Sequence, residues 1–224
     1  MIQALRGLIS DPLVLGAWAV AAIVSLLWLL RDLRVNNPAI AGLMKWVWIL
    51  TVLYSGPIGL AFYHYSGRAQ ISRDSLFRRG FRSTAHCYSG CGAGEIVGVT
   101  VAVGVLALGN LGISLMTFTL AYLFGYALTV GPLLQEGVGL PTALRDAFIT
   151  ETPSIVVMEV VAIGVDLWLA AGATIGQALF WGSLIFSLSM GLFAAYPVNI
   201  ALVALGVKEG MMDPREHTRP EPQH

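Results

Sequence analysis

Residues with chemical potential gather in one stretch, Thr84-Ala85-His86-Cys87-Tyr88-Ser89-Gly90-Cys91-Gly92-Ala93-Gly94-Glu95. On a helix, Cys87, Cys91 and Glu95 fall at i, i+4 and i+8 and form a single stripe. His86 stands beside it. Thiolate and imidazole are the ligands that Cu(I) and Zn(II) take up, so these ions are the cofactors or cargo the motif suggests. A helix N-terminus next to a basic segment favours thiolate further. His86, Cys87 and Cys91 are therefore the candidate metal ligands. Three donors leave a closed site short, and a further span or subunit would have to complete it. The plain alternative is that both cysteines are small buried hydrophobes.

Other ionisable groups fall inside apolar runs. Glu159 and Asp166 are seven residues apart on one helical face, and carboxylates at membrane depth usually face a bundle interior. Glu95 and Glu159 are the candidate pathway or proton-exchanging groups. Asp166 is expected near an interface, and Glu136 and Glu151 as ordinary charges at span ends. Met116, Met158 and Met190 are expected to pack. His64, between Tyr63 and Tyr65, fits an interfacial belt, and His217 and His224 lie in the polar tail. Gly90, Gly94 and Gly98 form a small-residue stripe for close helix approach, which also admits a homo-oligomer. Asn199, beside Pro197, is expected to bond carbonyls that the proline frees.

The elements that must carry these residues are strongly apolar. The 224-residue chain is 56% hydrophobic and 12% charged, with a mean hydropathy of +0.74. That charge content is about half the usual share. A soluble fold of this size needs more polar exterior, so the bilayer is the expected surroundings. Thirteen basic residues balance thirteen acidic ones, which argues against nucleic-acid binding. Two cysteines four apart are no disulfide framework. The first apolar run, Leu13 to Leu30, is too long for a cleavable leader.

Hydropathy and punctuation predict an all-α bundle of about six spans in a single transmembrane domain, residues 1–207. The spans are 12–30, 38–63, 90–109, 111–134, 153–171 and 175–206, followed by a polar cytoplasmic tail, 208–224. Asp11-Pro12, Asn37-Pro38 and Thr152-Pro153 read as helix caps followed by proline. Ser55-Gly56-Pro57 and Pro197 read as kinks. Residues 64–86 read as a basic loop, and 135–151 as a second loop with a short interfacial helix at 141–149. Lys and Arg set orientation. With six spans, Arg6, Arg68, Arg73, Arg78, Arg79, Arg82, Arg145, Lys208, Arg215 and Arg219 share one side with both termini. Arg31 and Arg34 lie opposite, and Lys45 lies within a span. This predicts a bacterial inner membrane protein with both ends cytoplasmic.

Several segments resemble a bacterial membrane-protein family described only as a domain of unknown function. They are Trp48-Ile49-Leu50-Thr51-Val52-Leu53-Tyr54-Ser55-Gly56-Pro57-Ile58-Gly59-Leu60, the His86 to Glu95 stretch, Gly191-Leu192-Phe193-Ala194-Ala195-Tyr196-Pro197-Val198-Asn199, and Gly206 to Met211. The resemblance implies that the His-Cys pair, the following Gly-Cys and the acidic position act as one unit. Glu95 holds that acidic position here, where Asp is common in the family. No activity comes with the resemblance.

Three functions compete. The first is handling of a soft transition metal, copper foremost, by transport or delivery through His86, Cys87 and Cys91. The second is a thiol/disulfide oxidoreductase coupled to quinone, for which the three-residue spacing is unusual. The third is a non-catalytic scaffold or assembly partner. No phosphate loop, nucleophile elbow or zinc-protease motif is present, so an enzyme is the less favoured class.

Overall fold

The computed structural model describes residues 1–170, 172–211 and 213–215, all in helices and short connections. The helices are α1 Ile2–Ile9, α2 Pro12–Val35, α3 Gly42–Ser55, α4 Pro57–Phe62, α5 Leu76–Gly104, α6 Asn110–Gln135, α7 Leu140–Ala170 and α8 Ala178–Ala204, with a π-helical turn at Tyr63–Gly67 after α4. Five of them, α2 and α5 to α8, are long and apolar enough to cross a membrane. The molecule is a multi-pass helical membrane protein.

The N-terminal punctuation works as the sequence suggests at α2. Asp11 accepts from the Leu13 and Val14 amides, and Pro12 occupies the first helical position. Elsewhere the helices outrun their apolar stretches. α5 begins at Leu76, capped by Ser75, so half of the expected 64–86 loop is helix. Its polar residues are paired rather than solvated: Arg82 bonds Asp74 at 2.7 Å and is 1% exposed. α7 begins at Leu140 and runs through Pro153 without stopping, so the cap expected at Thr152-Pro153 is absent. Neighbouring helices make an interior proline tolerable in a membrane bundle.

The expected second span is a hairpin. Two points on a continuous helix at Trp48 and Gly67 would be about 28 Å apart. Instead a Cβ placed on Gly67 would meet the Trp48 ring at 2.5 Å, and the Trp48 and Tyr63 ring centroids are 5.4 Å apart. The reversal is at Gly56, with φ +53° and ψ −125°, a conformation reserved for glycine. Pro57 then opens α4. The tip rests on Ala22 and Trp18 of α2, midway along that helix. The return leg is pinned at the end of α2, where the Asp32 carboxylate accepts from Tyr63 Oη, Asn36 Nδ2, Asn37 Nδ2 and Arg68.

Arg6 and Lys208 stand at opposite ends of the bundle. Arg6 donates to the Trp168 and Leu169 carbonyls at the C-terminal end of α7. Lys208 bonds Glu151, near the start of the same helix. Those positions are about 26 Å apart along the axis. The expectation of both termini on one side counts 38–63 as a span, and in the structure that segment turns back at Gly56.

Candidate functional site

Helix α5 carries the motif through the centre of the bundle, against α6, α7 and α8. Its glycines set the approach. A Cβ on Gly94 would lie 2.3 Å from the Leu120 carbonyl oxygen, and one on Gly98 would lie 2.7 Å from Thr117 Cα. The Gly90/Gly94/Gly98 stripe is thus filled by α6 of the same chain.

This close packing buries the cysteines. Cys87 is 1% exposed, Cys91 is fully buried, and their sulfurs are 4.0 Å apart. That is well beyond the roughly 2.05 Å of a disulfide. Gly125 of α6 leaves the room that Cys91 occupies, since a Cβ there would lie 2.7 Å from the sulfur. Met158 of α7 belongs to the same buried cluster as both thiols.

His86 does not join the sulfurs. One residue back from Cys87 it is rotated by about 100° around the helix, and its Nε2 meets Thr129 Oγ1 of α6 at 3.2 Å. Among the described residues, no three His, Cys, Asp or Glu side chains gather as a metal-holding group. The structure brings two of the three expected ligands together and turns the third away.

The carboxylates continue the thiol stripe. Glu95 is 2% exposed and Glu159 fully buried. Glu95 Oε2, both Glu159 oxygens and Asp166 Oδ1 have no hydrogen-bond partner. Glu159 is within electrostatic reach of Glu95 and Cys87, and Glu95 within reach of Asp166. Asp166, expected at an interface, belongs to this buried group. A carboxylate in such surroundings needs a proton or a cation. Because α5 and α7 run in the same direction, the groups form a file from the Cys87 level through Glu159 and Glu95 to Asp166.

At the other end of the file lies a cluster that sequence reasoning missed. Lys208 Nζ donates to Glu151 Oε2 at 2.8 Å, to Asn199 Oδ1 at 3.0 Å and to Ser154 Oγ at 3.2 Å. Ser83 also donates to Asn199 Oδ1. Glu151 is therefore a buried ion-pair partner and not an ordinary boundary charge, and Lys208 is buried although it was read as the start of a polar tail. Asn199 Nδ2 donates to the Ala195 carbonyl one turn back along α8, and not to the Phe193 carbonyl that Pro197 leaves without an amide partner. An isolated lysine directly after the last apolar run was the one available signal. His217 and His224 lie outside the described residues.

Residues 76–208 match the family described as Domain of unknown function (DUF4396). Comparison with curated proteins and with solved structures gives no match. The matched segment covers α5 to α8 and the Lys208 cluster, more than half of the chain, and the chain belongs to that family.

Proposed function

We propose that this member of the DUF4396 family moves a soft metal cation across the membrane, with Cu(I) as the first candidate, along the file from Cys87 and Cys91 to Glu159, Glu95 and Asp166. The observation that carries the reading is the 4.0 Å separation of the two buried sulfurs. With metal–sulfur bonds of about 2.3 Å, two thiolates sharing one ion are about 3.8 Å apart in a tetrahedral arrangement and about 4.6 Å apart in a linear one. The observed spacing falls between these. It suits a shared cation better than it suits a disulfide.

Met158, in the same buried cluster, would be the third soft donor, in the place first given to His86. His86, held by Thr129, supports the helix pairing around the thiols. The unpartnered carboxylates carry the charge onward, as proton exchangers or as successive resting places for the cation. Helix–helix contacts close the path in this state.

Orientation follows the positive-inside rule. Asp32 and Arg68 bring Arg31, Arg34 and the 68–82 segment to one end of the bundle, where Lys45, Arg145, Lys208 and Arg215 also lie. Among the described Lys and Arg residues only Arg6 is at the other end. We assign the basic end, with the C-terminal segment, to the cytoplasm, and the N-terminus to the opposite side.

Uptake of Cu(I) into proteoliposomes tests the reading. Wild-type protein is expected to transport, Cys87→Ser/Cys91→Ser to lose at least about tenfold in rate, a barrier change of about 1.4 kcal/mol, and Met158→Leu to fall between. Equal rates for the wild type and the double variant would sink it.

A further inference from the structure

The oxygens around Lys208 form a site of different chemistry from the thiol pair. Glu151 Oε2, Asn199 Oδ1 and Ser154 Oγ surround one point at 2.8 to 3.2 Å. They come from α7 and α8, with Ser83 of α5 bonded to the same Asn199 oxygen. Glu151 is 3% exposed, Asn199 and Ser154 fully buried. A carboxylate, an amide carbonyl and a hydroxyl are hard donors, and together they carry one negative charge. Such a set suits a monovalent hard cation. In this structure the cation at that point is an ammonium supplied by the chain itself.

The segment that delivers it is unlike its surroundings. α8 ends at Ala204. Lys208 then sits between Gly206 and Gly210, both at positive φ, +71° and +83°. No side chain or backbone lies within 4 Å of the Cβ position of Gly206. Gly206, open at its Cβ position, and Gly210, packed on Arg79 and Val203, thus bracket a single side chain that reaches into the bundle, with the Val207 and Lys208 amides both bonded to the Leu202 carbonyl and Arg79 holding the Glu209 carbonyl at the surface. The cost of burying Glu151 is met by whatever positive charge occupies this point, whether tethered or free.

We infer that Glu151, Ser154 and Asn199 constitute a site for Na⁺ or K⁺ at the basic end of the bundle, and that Lys208 is its tethered competitor. A free alkali cation fills the site when the Lys208 ammonium is absent from it. This site goes beyond the thiol reading, and its test involves no copper and no transport.

Thermal unfolding of the purified full-length protein in detergent provides the test, in NaCl or KCl against choline chloride at equal ionic strength. Choline is too large for the three-oxygen site. The wild type, with its site filled, is expected to unfold at the same temperature in all three salts. Lys208→Ala and Lys208→Gln are expected to unfold earlier in choline and to regain about 5 °C or more in NaCl or KCl, as a ligand well above its Kd stabilises the folded state. Glu151→Gln/Lys208→Ala is expected to lose that response. Lys208 variants indifferent to the salt, or a response that survives Glu151→Gln, would overturn the inference. Failure of both Lys208 variants to fold in every salt would overturn it equally, since a free cation should replace the missing charge.

Discussion

At the residue scale, glycine placement governs how close the thiol helix sits to its neighbour. Gly94→Ala would drive a methyl group into the Leu120 carbonyl, which is backbone and cannot swing aside. A loss of about 1–3 kcal/mol is expected, read by denaturant-induced unfolding in detergent. Gly42→Ala, with open space at its Cβ position, serves as the control and is expected to be close to neutral. Gly56→Ala adds backbone strain to contact with Ala22, and should cost more than Gly42→Ala by at least about 1 kcal/mol. The thiol stripe itself was legible from spacing alone, because i and i+4 share a helical face. His86 was legible only as a neighbour in sequence, and adjacency on a helix is separation in space. The Lys208–Glu151 pair was not legible, since its members are 57 positions apart with the reversal from α7 to α8 between them.

At the scale of elements, the 42–67 hairpin is the main departure from the hydropathy reading. An apolar segment of that length fits a tilted span or two half-length legs equally well. What decides is whether Ser55-Gly56-Pro57 bends the helix or reverses it, and that depends on a glycine-only φ/ψ pair and on the surface of α2 beneath it. Membrane-impermeant maleimide labelling of Val35→Cys and Gln70→Cys should therefore occur from the same side of the membrane; labelling from opposite sides would restore the span. The native thiols, at most 1% exposed, should stay silent in that experiment. Asp32 holds the return leg. Asp32→Ala is expected to cost about 3 kcal/mol, toward the lower end for a broken buried pair, because Arg68 remains 23% exposed and keeps part of its hydration.

At the scale of the whole molecule, the positive-inside rule is sound but depends on the parity of the crossings. Counting one hairpin as a span moved Arg31 and Arg34 away from the other arginines and put Arg6 with them. By position in the structure, eleven of the twelve described Lys and Arg residues lie at one end of the bundle and Arg6 at the other. A fluorescent protein fused after His224 is expected to fluoresce in the cytoplasm, whereas alkaline phosphatase fused before Met1 is expected to be active, which it is only outside. The reverse pattern, or two cytoplasmic ends, would refute the orientation.

The hairpin has a further consequence for the shape of the molecule. Both of its legs lie in the basic-end half of the apolar layer, and its tip stops beside Trp18 and Ala22. Beyond that tip α2 is largely bare, with Leu13 84% and Val14 39% exposed. The basic-end half of the bundle therefore holds seven helical segments, and the opposite half holds the five long helices with α1 beside them. The bare face of α2 beyond the hairpin tip leaves a notch in the bundle on that side, lined by apolar side chains such as Leu13 and Val14.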